Sequence, residues 1–270
     1  MTHPYAEVIG DPIAHSKSPV IHQFWLKKLR IAADYRACHV KPEALAGYIT
    51  SRRADADWRG CNITVPHKIA VMDLVDDPGD VHGSIGAMNT IIRQPDDRLI
   101  GTNTDAAGFY APLSDFALDA MPVAVVGTGG AAHAILFALA RANVGTVTLL
   151  ARNPLKGAAI LARFGLKGTV QSLDKPVPSV ALLTNTTTLG MIGQPPLNLD
   201  LSALPDDAVV YDIVYAPLVT PLIALAQARG LATVDGLEML IGQAALAFEL
   251  FFGKPAPRDH DAELRALLLS

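Results

Sequence analysis

The sequence predicts an α/β fold with a parallel sheet. Short apolar, β-branched runs alternate with segments of helical periodicity, which is the pattern of parallel strands joined by helices. One such strand–helix pair, residues 123–140, encloses the glycine-rich turn Gly127–Ala132, of the form G-x-G-x-x-A. Small polar residues also recur at strand ends just before helices, where ligands bind in open α/β sheets. At 270 residues the chain can form one large domain or two smaller ones.

Composition and charge exclude several functional classes. The formal net charge is −4 and no basic block occurs, which argues against nucleic-acid or membrane-surface partners. One uncharged window, residues 121–140, has a membrane-spanning length, but its glycine-rich centre and strand-like first half indicate a βα unit. Cys38 and Cys61 lack metal-ligand spacing, and the N-terminus lacks a signal-peptide pattern. We therefore expect a cytoplasmic protein with no metal site.

The first segment predicts a strand, a polar loop and a helix. The strand Tyr5–Gly10 leads into a turn-rich loop that contains Ser16 and Ser18. Pro19 suits the first turn of a helix, so Ser18 is expected to be its N-cap, which by itself would be a structural role only. Apolar residues at helical spacing then give the predicted buried stripe: Ile21, Trp25 and Leu29. Two further elements follow, a strand over residues 35–40 and a helix over residues 42–53.

The next strand carries polar residues close to its end. Trp58–Val65 predicts a strand closed by Pro66, and Lys68 is expected to open the following helix. Asn62, Thr64 and Lys68 therefore gather near one strand end. A lone lysine is usually a solvated surface residue, so Lys68 is a candidate functional residue only because Asn62 and Thr64 are close to it in the sequence.

A hairpin precedes the middle of the chain. Gly86–Ile92, which contains Asn89, and Arg98–Gly101 predict its two strands. Asp105 follows directly and could simply cap the next helix. Because it again stands at a strand end before a helix, the sequence also indicates a ligand-binding role for Asp105.

The segment after Pro122 is typical of dinucleotide-binding proteins. Val123–Val126 is a buried strand, and its glycine-rich turn lets the backbone approach a pyrophosphate at the N-terminus of the following helix. After the next strand, Val147–Leu150, Arg152 stands where an acidic residue would bind a ribose 2′-hydroxyl. An arginine there favours the 2′-phosphate of NADP over NAD. The expected cofactor contacts in this unit are Gly127, Thr128, Gly129, Gly130, Ala131, Arg152, Asn153 and Lys156.

The last third of the chain continues the alternation. Gly236 begins an almost wholly apolar helix that extends to about Phe252, and Gln243 is one of its few polar residues. A buried amide needs partners, either in the core or on a ligand. The elements before this helix are predicted strands over residues 180–186, 208–215 and 231–234 and a helix over residues 220–229, and a small helix ends the chain.

Eight short motifs now stand in a fixed order along nearly the whole chain. They are Ser16–Pro19, Gly60–Lys68, Gly86–Thr90, Gly101–Asp105, the glycine-rich turn, Asn185–Thr187 with Gly190 and Met191, Asp212–Tyr215, and Asp235–Leu237 leading to Gln243. In this order the motifs resemble those of the shikimate dehydrogenase family. Three departures are visible: the family commonly has Asn-Arg-Thr where this chain has Ala151–Asn153, His133 stands at a position often held by another residue, and Ala216 replaces a frequent asparagine.

The resemblance implies two α/β domains and a reaction. Residues 1–104, with residues 235–270 returning to them, would form the substrate-binding domain, and residues 105–234 a Rossmann-like NADP-binding domain. The implied reaction is the reduction of 3-dehydroshikimate to shikimate by NADPH, a step towards chorismate and the aromatic amino acids. Lys68 and Asp105 would be the catalytic pair, and Ser16 and Ser18 would hold the substrate carboxylate. The other implied substrate residues are Thr64, Asn89, Asp105, Tyr215 and Gln243, and the implied cofactor residues also include Asn185, Ile213 and Gly236.

Other functions stay open at this point. A sibling enzyme could act on quinate or on an amino analogue of shikimate, and a non-catalytic NADP-binding paralogue could keep the fold. A methylenetetrahydrofolate dehydrogenase would share a similar layout and a lysine, but it would not require the Ser-x-Ser loop. Intact Lys68 and Asp105 argue against a mere sensor. The expected partners are a small-molecule substrate and NADP, with no nucleic acid or membrane, and the protein is expected to be a monomer or homodimer.

Overall fold

A computed structural model describes residues 3–269 of the chain. The predicted two-domain α/β class is confirmed, because these residues divide into two compact units. The first unit comprises the described residues up to Asp105 together with those from Ile241 onward, and the second comprises Ala106–Leu240. Met1, Thr2 and Ser270, which fall within the predicted domain limits, lie outside the described residues. The predicted boundaries of the two binding domains stay predictions.

The strands and helices match the sequence pattern closely. The strands are β1 Tyr5–Gly10, β2 Asp34–His39, β3 Trp58–Ile63, β4 Thr90–Arg93, β5 Leu99–Thr102, β6 Val123–Val126, β7 Val147–Leu150, β8 Gly168–Gln171, β9 Leu182–Asn185, β10 Val209–Asp212 and β11 Ala232–Val234. The α-helices are α1 Ser18–Lys28, α2 Leu45–Arg53, α3 Val81–Ser84, α4 Asp105–Tyr110, α5 Gly130–Arg141, α6 Pro154–Arg163, α7 Pro221–Ala228, α8 Gly236–Phe252 and α9 Asp261–Leu269. Short 3₁₀ turns occupy Pro42–Ala44, Ala70–Leu74, Ala111–Leu113 and Arg258–His260.

The first unit is built on a five-stranded sheet of order β2-β1-β3-β4-β5. Strands β2, β1 and β3 are parallel, whereas β4 and β5 form the predicted antiparallel hairpin beside β3. The carboxyl ends of β1 and β3 therefore meet at one edge of the sheet, and the start of β4 lies at the same edge because β4 runs the other way. This arrangement brings the polar loops of the first unit together.

The second unit has the Rossmann strand order. Its sheet is β11-β10-β9-β6-β7-β8, and every neighbouring pair is parallel. The chain leaves β6 towards β7 and β8, then returns to build β9, β10 and β11 on the other side. The switch point therefore lies between β6 and β9, where Val126 pairs with Asn185. Such a switch point is where dinucleotides bind.

Three local predictions are wrong. Helix α1 begins at Ser18 itself, and the N-cap is Lys17, whose side chain makes no cap hydrogen bond. Because α1 ends at Lys28, Leu29 lies beyond it and is exposed, whereas Ile21 and Trp25 are buried as predicted. Lys68 lies in a turn before a single 3₁₀ segment, Ala70–Leu74, and does not open an α-helix. Extended backbone resumes at Val75, which leaves no room for more than this short turn.

Candidate active site

The predicted catalytic residues are in contact in the first unit. Lys68 lies in the turn after β3, and Asp105 is the first residue of α4. The Nζ atom of Lys68 is 2.5 Å from Oδ2 of Asp105. The Lys68 side chain is 13% exposed and that of Asp105 is 5% exposed. The two residues thus form a largely buried ion pair whose ammonium group keeps some access to the surface.

Asn89 holds the second oxygen of this carboxylate. Its Nδ2 atom donates to Oδ1 of Asp105 at 2.8 Å and to Oγ1 of Thr104 at 2.9 Å. Its Oδ1 atom accepts from the backbone N–H of Thr104 at 2.7 Å. The Oε1 atom of Gln243 lies 3.4 Å from both Asn89 Nδ2 and Thr104 Oγ1. The structure therefore brings four of the predicted residues into one cluster: Lys68, Asn89, Asp105 and Gln243.

Backbone hydrogen bonds explain why these segments meet. Lys68 is tied to the segment before β4, because the N–H of Met88 donates to its carbonyl oxygen at 2.8 Å. The N–H of Ile63 donates to the carbonyl of Asn89 at 2.7 Å, which joins the end of β3 to the start of β4. Gly101 allows β5 to lie close by, since a Cβ there would be 2.1 Å from Sδ of Met88. Strand pairing thus positions the cluster.

The remaining predicted substrate residues of the first unit, Ser16, Ser18 and Thr64, lie beyond the carboxyl ends of β1 and β3. Thr64 follows β3, and its N–H donates to the carbonyl of Ile9 in β1 at 2.9 Å. In the loop after β1, the N–H of Ser18 donates to Oγ of Ser16 at 3.3 Å. Lys17 between them donates to the carbonyl of Leu268 in α9. The two serines are therefore held in one loop that is anchored to the C-terminal helix.

Tyr215 is not in this unit. It lies after β10 in the second unit, so its predicted contact with substrate stays a prediction.

The glycine-rich turn joins β6 to α5 in the second unit. Gly127 has φ +108°, and a Cβ there would be 2.7 Å from both Thr186 Oγ1 and Thr187 Cγ2. Only glycine therefore fits between the turn and the segment after β9. Gly129, by contrast, precedes α5, and a Cβ there would meet no atom within 4 Å. Open space in front of a helix N-terminus suits a pyrophosphate that approaches the backbone amides.

Two cations follow β7. Arg152 and Lys156 are both exposed at the start of α6. Asn153 is the N-cap of this helix, and its Oδ1 atom accepts from the N–H of Lys156 at 3.1 Å. The Asn153 side chain thus holds the helix start, while the two cations and the helix dipole favour an anion there.

The other predicted cofactor residues lie at or just after the carboxyl ends of β9, β10 and β11. Asn185 donates through Nδ2 to Oδ1 of Asp212 at 2.9 Å. Gly236 permits a close approach of α8, because a Cβ there would be 2.4 Å from the carbonyl oxygen of Ile213. Asn185, Ile213 and Gly236 are thus held near the switch point of the sheet.

Asp212 is a supporting residue that stands in one of the eight motifs but was predicted no role of its own. It is buried, and its acceptors bind Asn185, the N–H of Val214 at 3.0 Å and the hydroxyl of Thr220 at 2.7 Å. Burial raises the pKa of this carboxyl above its usual value, and the three neutral donors only partly oppose that effect. A carboxylate at the end of an apolar strand was the available signal in the sequence.

The second unit therefore fits a phosphorylated dinucleotide. It has the Rossmann order, an open glycine-rich turn at its switch point and two exposed cations after β7. Among the described residues, no group of three or more His, Cys, Asp or Glu side chains could hold a metal ion. None of the described helices combines the length and apolar character needed to cross a bilayer.

Fold and site together define a two-unit oxidoreductase of the pyridine-nucleotide-dependent class. Two family models match the chain: the shikimate dehydrogenase substrate binding domain over residues 8–91 and the shikimate 5'-dehydrogenase C-terminal domain over residues 236–263. A shikimate dehydrogenase (NADP(+)) from Sphingopyxis alaskensis is 68% identical over 274 residues, which cover 100% of both proteins. The chain belongs to the shikimate dehydrogenase family, as the motif order predicted.

Solved structures show the same fold with different ligands. Shikimate 5-dehydrogenase from Thermus thermophilus, in complex with NADP(H) and shikimate, is 35% identical with a TM-score of 0.87. That similarity covers 98% of this chain and 100% of the Thermus protein. Quinate dehydrogenase from Corynebacterium glutamicum, in complex with NAD, is 26% identical with a TM-score of 0.86, covering 98% of this chain and 99% of the other. The fold alone therefore does not determine which substrate and cofactor are preferred; individual residues do.

Proposed function

We propose that this chain catalyses the reduction of 3-dehydroshikimate to shikimate by NADPH, a step towards chorismate and the aromatic amino acids. The observation that carries the proposal is the Lys68–Asp105 ion pair, at 2.5 Å, within a cluster that also contains Asn89 and Gln243. A polyhydroxylated ring needs several short hydrogen-bonding groups at one place, and this cluster supplies them. The activity named for the Sphingopyxis relative is carried over on the strength of 68% identity across the whole chain.

Lys68 is assigned as the proton donor. When bound, NADPH supplies a hydride to the carbonyl carbon of the substrate. Negative charge then develops on the carbonyl oxygen, and the Lys68 ammonium stabilises that charge and transfers a proton to the oxygen. Asp105 holds the ammonium in place through its Oδ2 atom. The ketone thus gains one hydride and one proton and becomes an alcohol. We refer to Lys68 and Asp105 below as the catalytic pair.

The remaining substrate contacts are assigned by the chemistry of the ligand. Ser16 and Ser18, whose loop lies after β1, would donate to the substrate carboxylate. Thr64, Asn89, Asp105 and Gln243 would bind the ring hydroxyls, and Tyr215 is kept as a predicted substrate residue. Residues 1–104 with 235–270 would thus form the substrate domain, and 105–234 the cofactor domain.

The cofactor contacts follow from the open turn and the two cations. Gly127, Thr128, Gly129, Gly130 and Ala131 would present backbone to the pyrophosphate of NADP at the N-terminus of α5. Arg152 and Lys156 would bind the 2′-phosphate through charge-assisted hydrogen bonds, and Asn153 would support them as the cap of α6. The rest of the cofactor would contact Asn185, Ile213 and Gly236.

The setting of the enzyme completes the proposal. The described residues include two free cysteines, Cys38 and Cys61, which suits the reducing cytoplasm. The absence of a basic block favours small-molecule partners over nucleic acid or a membrane surface. A monomer or homodimer is the expected assembly.

Quinate is the second candidate substrate, because the quinate dehydrogenase described above shares this fold. Quinate carries an additional hydroxyl on the carbon that bears its carboxylate, so the pocket near Ser16 and Ser18 would have to be wider. Ser18 is buried, which favours the smaller ligand, shikimate.

One assay tests the proposal. Purified protein is given shikimate or quinate with NADP⁺ or NAD⁺, and nicotinamide absorbance is followed over time. We expect the shikimate–NADP⁺ pair to react fastest. A faster reaction with quinate would assign the enzyme to its sibling class, and no reaction with either substrate would overturn the assignment as a dehydrogenase of this type.

A further inference from the structure

Buried polar side chains continue from the catalytic pair into the sheet of the first unit. Beyond Asn89 the hydrogen bonds lead to Thr90 in β4, then to Asn62 in β3 and finally to Tyr35 in β2. All three side chains are buried, with residue exposures of at most 5%. None of them is among the residues assigned to substrate or cofactor above. Asn62 had already stood out in the sequence as one of the polar residues near the end of a strand.

One backbone group determines which atom donates and which accepts in each of these hydrogen bonds. The N–H of Thr104 can only donate, so the atom of Asn89 that faces it at 2.7 Å must be the oxygen Oδ1. Thr90 Oγ1 lies 3.0 Å from that same oxygen and must donate its single proton to it. Thr90 must therefore accept from Nδ2 of Asn62, at 3.1 Å. Oδ1 of Asn62 then faces the hydroxyl of Tyr35, which donates at 2.6 Å.

In each hydrogen bond from Tyr35 to Asn89, the donated proton consequently points along the series towards Asp105. With Oδ1 of Asn89 held by two donors, its Nδ2 atom faces Oδ1 of Asp105 at 2.8 Å. Lys68 binds the other carboxylate oxygen. Hydrogen bonds aligned in one direction and ending on a charge polarise one another, and they are stronger in a buried site than in water. The orientation of the carboxylate is therefore also fixed through Oδ1, the oxygen that Lys68 does not bind.

We propose that Thr90, Asn62 and Tyr35 are positioning residues for the catalytic pair. They act through Asn89, whose amide they lock in the orientation that presents Nδ2 to Asp105. The inference rests on the proposed function of Lys68 and Asp105, because it assigns these three residues a role in turnover and not only in folding. The effect on turnover should decrease from Thr90 to Tyr35, since Thr90 contacts Asn89 directly and Tyr35 is two hydrogen bonds further away.

A matched pair of substitutions at Thr90 separates positioning from folding. Thr90→Val keeps the shape of the side chain and removes its hydroxyl, whereas Thr90→Ser keeps the hydroxyl and removes the methyl group. We expect kcat of Thr90→Val to fall about 10-fold, the loss that one buried hydrogen bond accounts for. The backbone N–H of Thr104 still holds Asn89, which limits the effect. KM for NADP⁺ should stay unchanged, and Thr90→Ser should retain kcat within about twofold of the native protein.

Two further variants complete the experiment. Tyr35→Phe removes only the hydroxyl at the far end of the chain, and we expect a fall in kcat of about 2- to 4-fold with KM for NADP⁺ unchanged. This variant also provides the test if Thr90→Val does not fold. Thr184→Val is the matched control, because Thr184 is a buried strand threonine of the second unit whose hydroxyl has no hydrogen-bond partner among the described residues. Its kcat should match that of the native protein.

The possible outcomes are distinct. If Thr90→Val and Tyr35→Phe keep native kcat while Lys68→Ala loses turnover, the positioning role is overturned and the proposed function stands. If Thr90→Val and Thr90→Ser both lose activity in proportion to the decrease in their melting temperatures, the series of hydrogen bonds only supports the fold and the inference is wrong. Native protein that oxidises neither shikimate nor quinate would instead refute the proposed function. Retained activity in Thr90→Ser with a loss in Thr90→Val supports the positioning role.

Discussion

The candidate substrate site and the candidate cofactor site differ in how firmly the protein itself holds the groups that would bind the ligand. In the first unit both oxygens of Asp105 are already bound, at 2.5 Å by Lys68 and at 2.8 Å by Asn89. In the second unit Gly129 faces open space, and Arg152 and Lys156 are exposed. A proton donor must be held within a narrow geometry, which side-chain hydrogen bonds provide. Phosphate groups can be bound by backbone amides and mobile cations.

This contrast predicts different kinetic signatures for the two sites. A substitution in the hydrogen-bonded cluster should lower turnover, because it removes an interaction that matters most in the transition state. A substitution among the exposed cations should weaken cofactor binding and leave the chemical step intact. The tests below follow that distinction, beginning with the largest expected effect.

Lys68→Ala should have the largest effect. Removal of the proton donor is expected to lower kcat about 10²–10⁴-fold, with a smaller change in KM for shikimate. Steady-state oxidation of shikimate with NADP⁺ measures both quantities. Lys254→Ala, which removes an exposed lysine far along the chain, is the control and should behave as the native protein. Near-native turnover of Lys68→Ala would show that another group supplies the proton.

Arg152→Ala should act on cofactor binding. A guanidinium can hold a phosphate through two parallel hydrogen bonds, and their loss should cost about 1.5–3 kcal/mol, or roughly one to two decades in affinity. Titration of the variant with NADPH and NADH should show this loss for NADPH only. Arg141→Ala, an exposed arginine at the end of α5, is the control. Equal losses for both cofactors would mean that Arg152 supports the fold and does not bind the 2′-phosphate.

Ser16→Ala and Ser18→Ala should each lower kcat/KM for shikimate by a factor equivalent to about 1.5–3 kcal/mol, the range for a hydrogen bond to a charged group. Because the Ser18 hydroxyl makes no cap contact in α1, its removal should leave the melting temperature nearly unchanged. Ser18→Thr adds a methyl group at a buried position and tests selectivity between shikimate and quinate. A fall in stability with unchanged kinetics would restore the capping role that the structure does not show.

The fold was predictable where its signals are local. The apolar run before Gly127, the hairpin before Asp105 and the apolar helix to Phe252 all occur as predicted. Strand β8 was missed because Gly168–Gln171 is largely outside the core and lacks an apolar run. Helix α6 contains Gly157, a poor helix former. The structure explains this glycine, since a Cβ there would be 2.6 Å from Val170 Cγ1 in β8.

The site was predictable in its residue types but not in its connections. The motifs contain Lys68, Asp105 and Asn89, and the structure places these three in contact. That Thr90 and Asn62 share hydrogen bonds depends on the pairing of Asn62 with Thr90 between β3 and β4. Strand register of this kind is set by long-range packing, so a single sequence does not reveal which side chains face one another.

The smallest expected effect concerns two buried carboxylates, one in each unit. Burial alone would raise the pKa of Glu7 in β1, but hydrogen bonds from Arg52 and Tyr48 hold it below its usual value. Asp212 has only neutral donors, and its pKa is raised by burial. Glu7 therefore stabilises the folded state above a pH of about 4.5, and this contribution is lost as the pH falls through its lowered folded pKa. For Asp212 the sign is reversed: its charge destabilises the folded state as the pH rises from about 3.8 through its raised pKa.

Hydrogen exchange followed by mass spectrometry can measure this difference for peptides of β1 and β10 separately, which avoids treating a two-unit protein as a single transition. The protection lost in Glu7→Gln should shrink as the pH is lowered below about 4.5, because the unfolded state then binds a proton at Glu7 that the folded carboxylate, with its lowered pKa, does not yet bind. Asp212→Asn should become more favourable relative to the native protein as the pH rises from about 3.8. Each group can change the unfolding free energy by at most about 1.4 kcal/mol per pH unit. Parallel pH profiles for the two variants would show that the arginines beside Glu7 do not set its charge state.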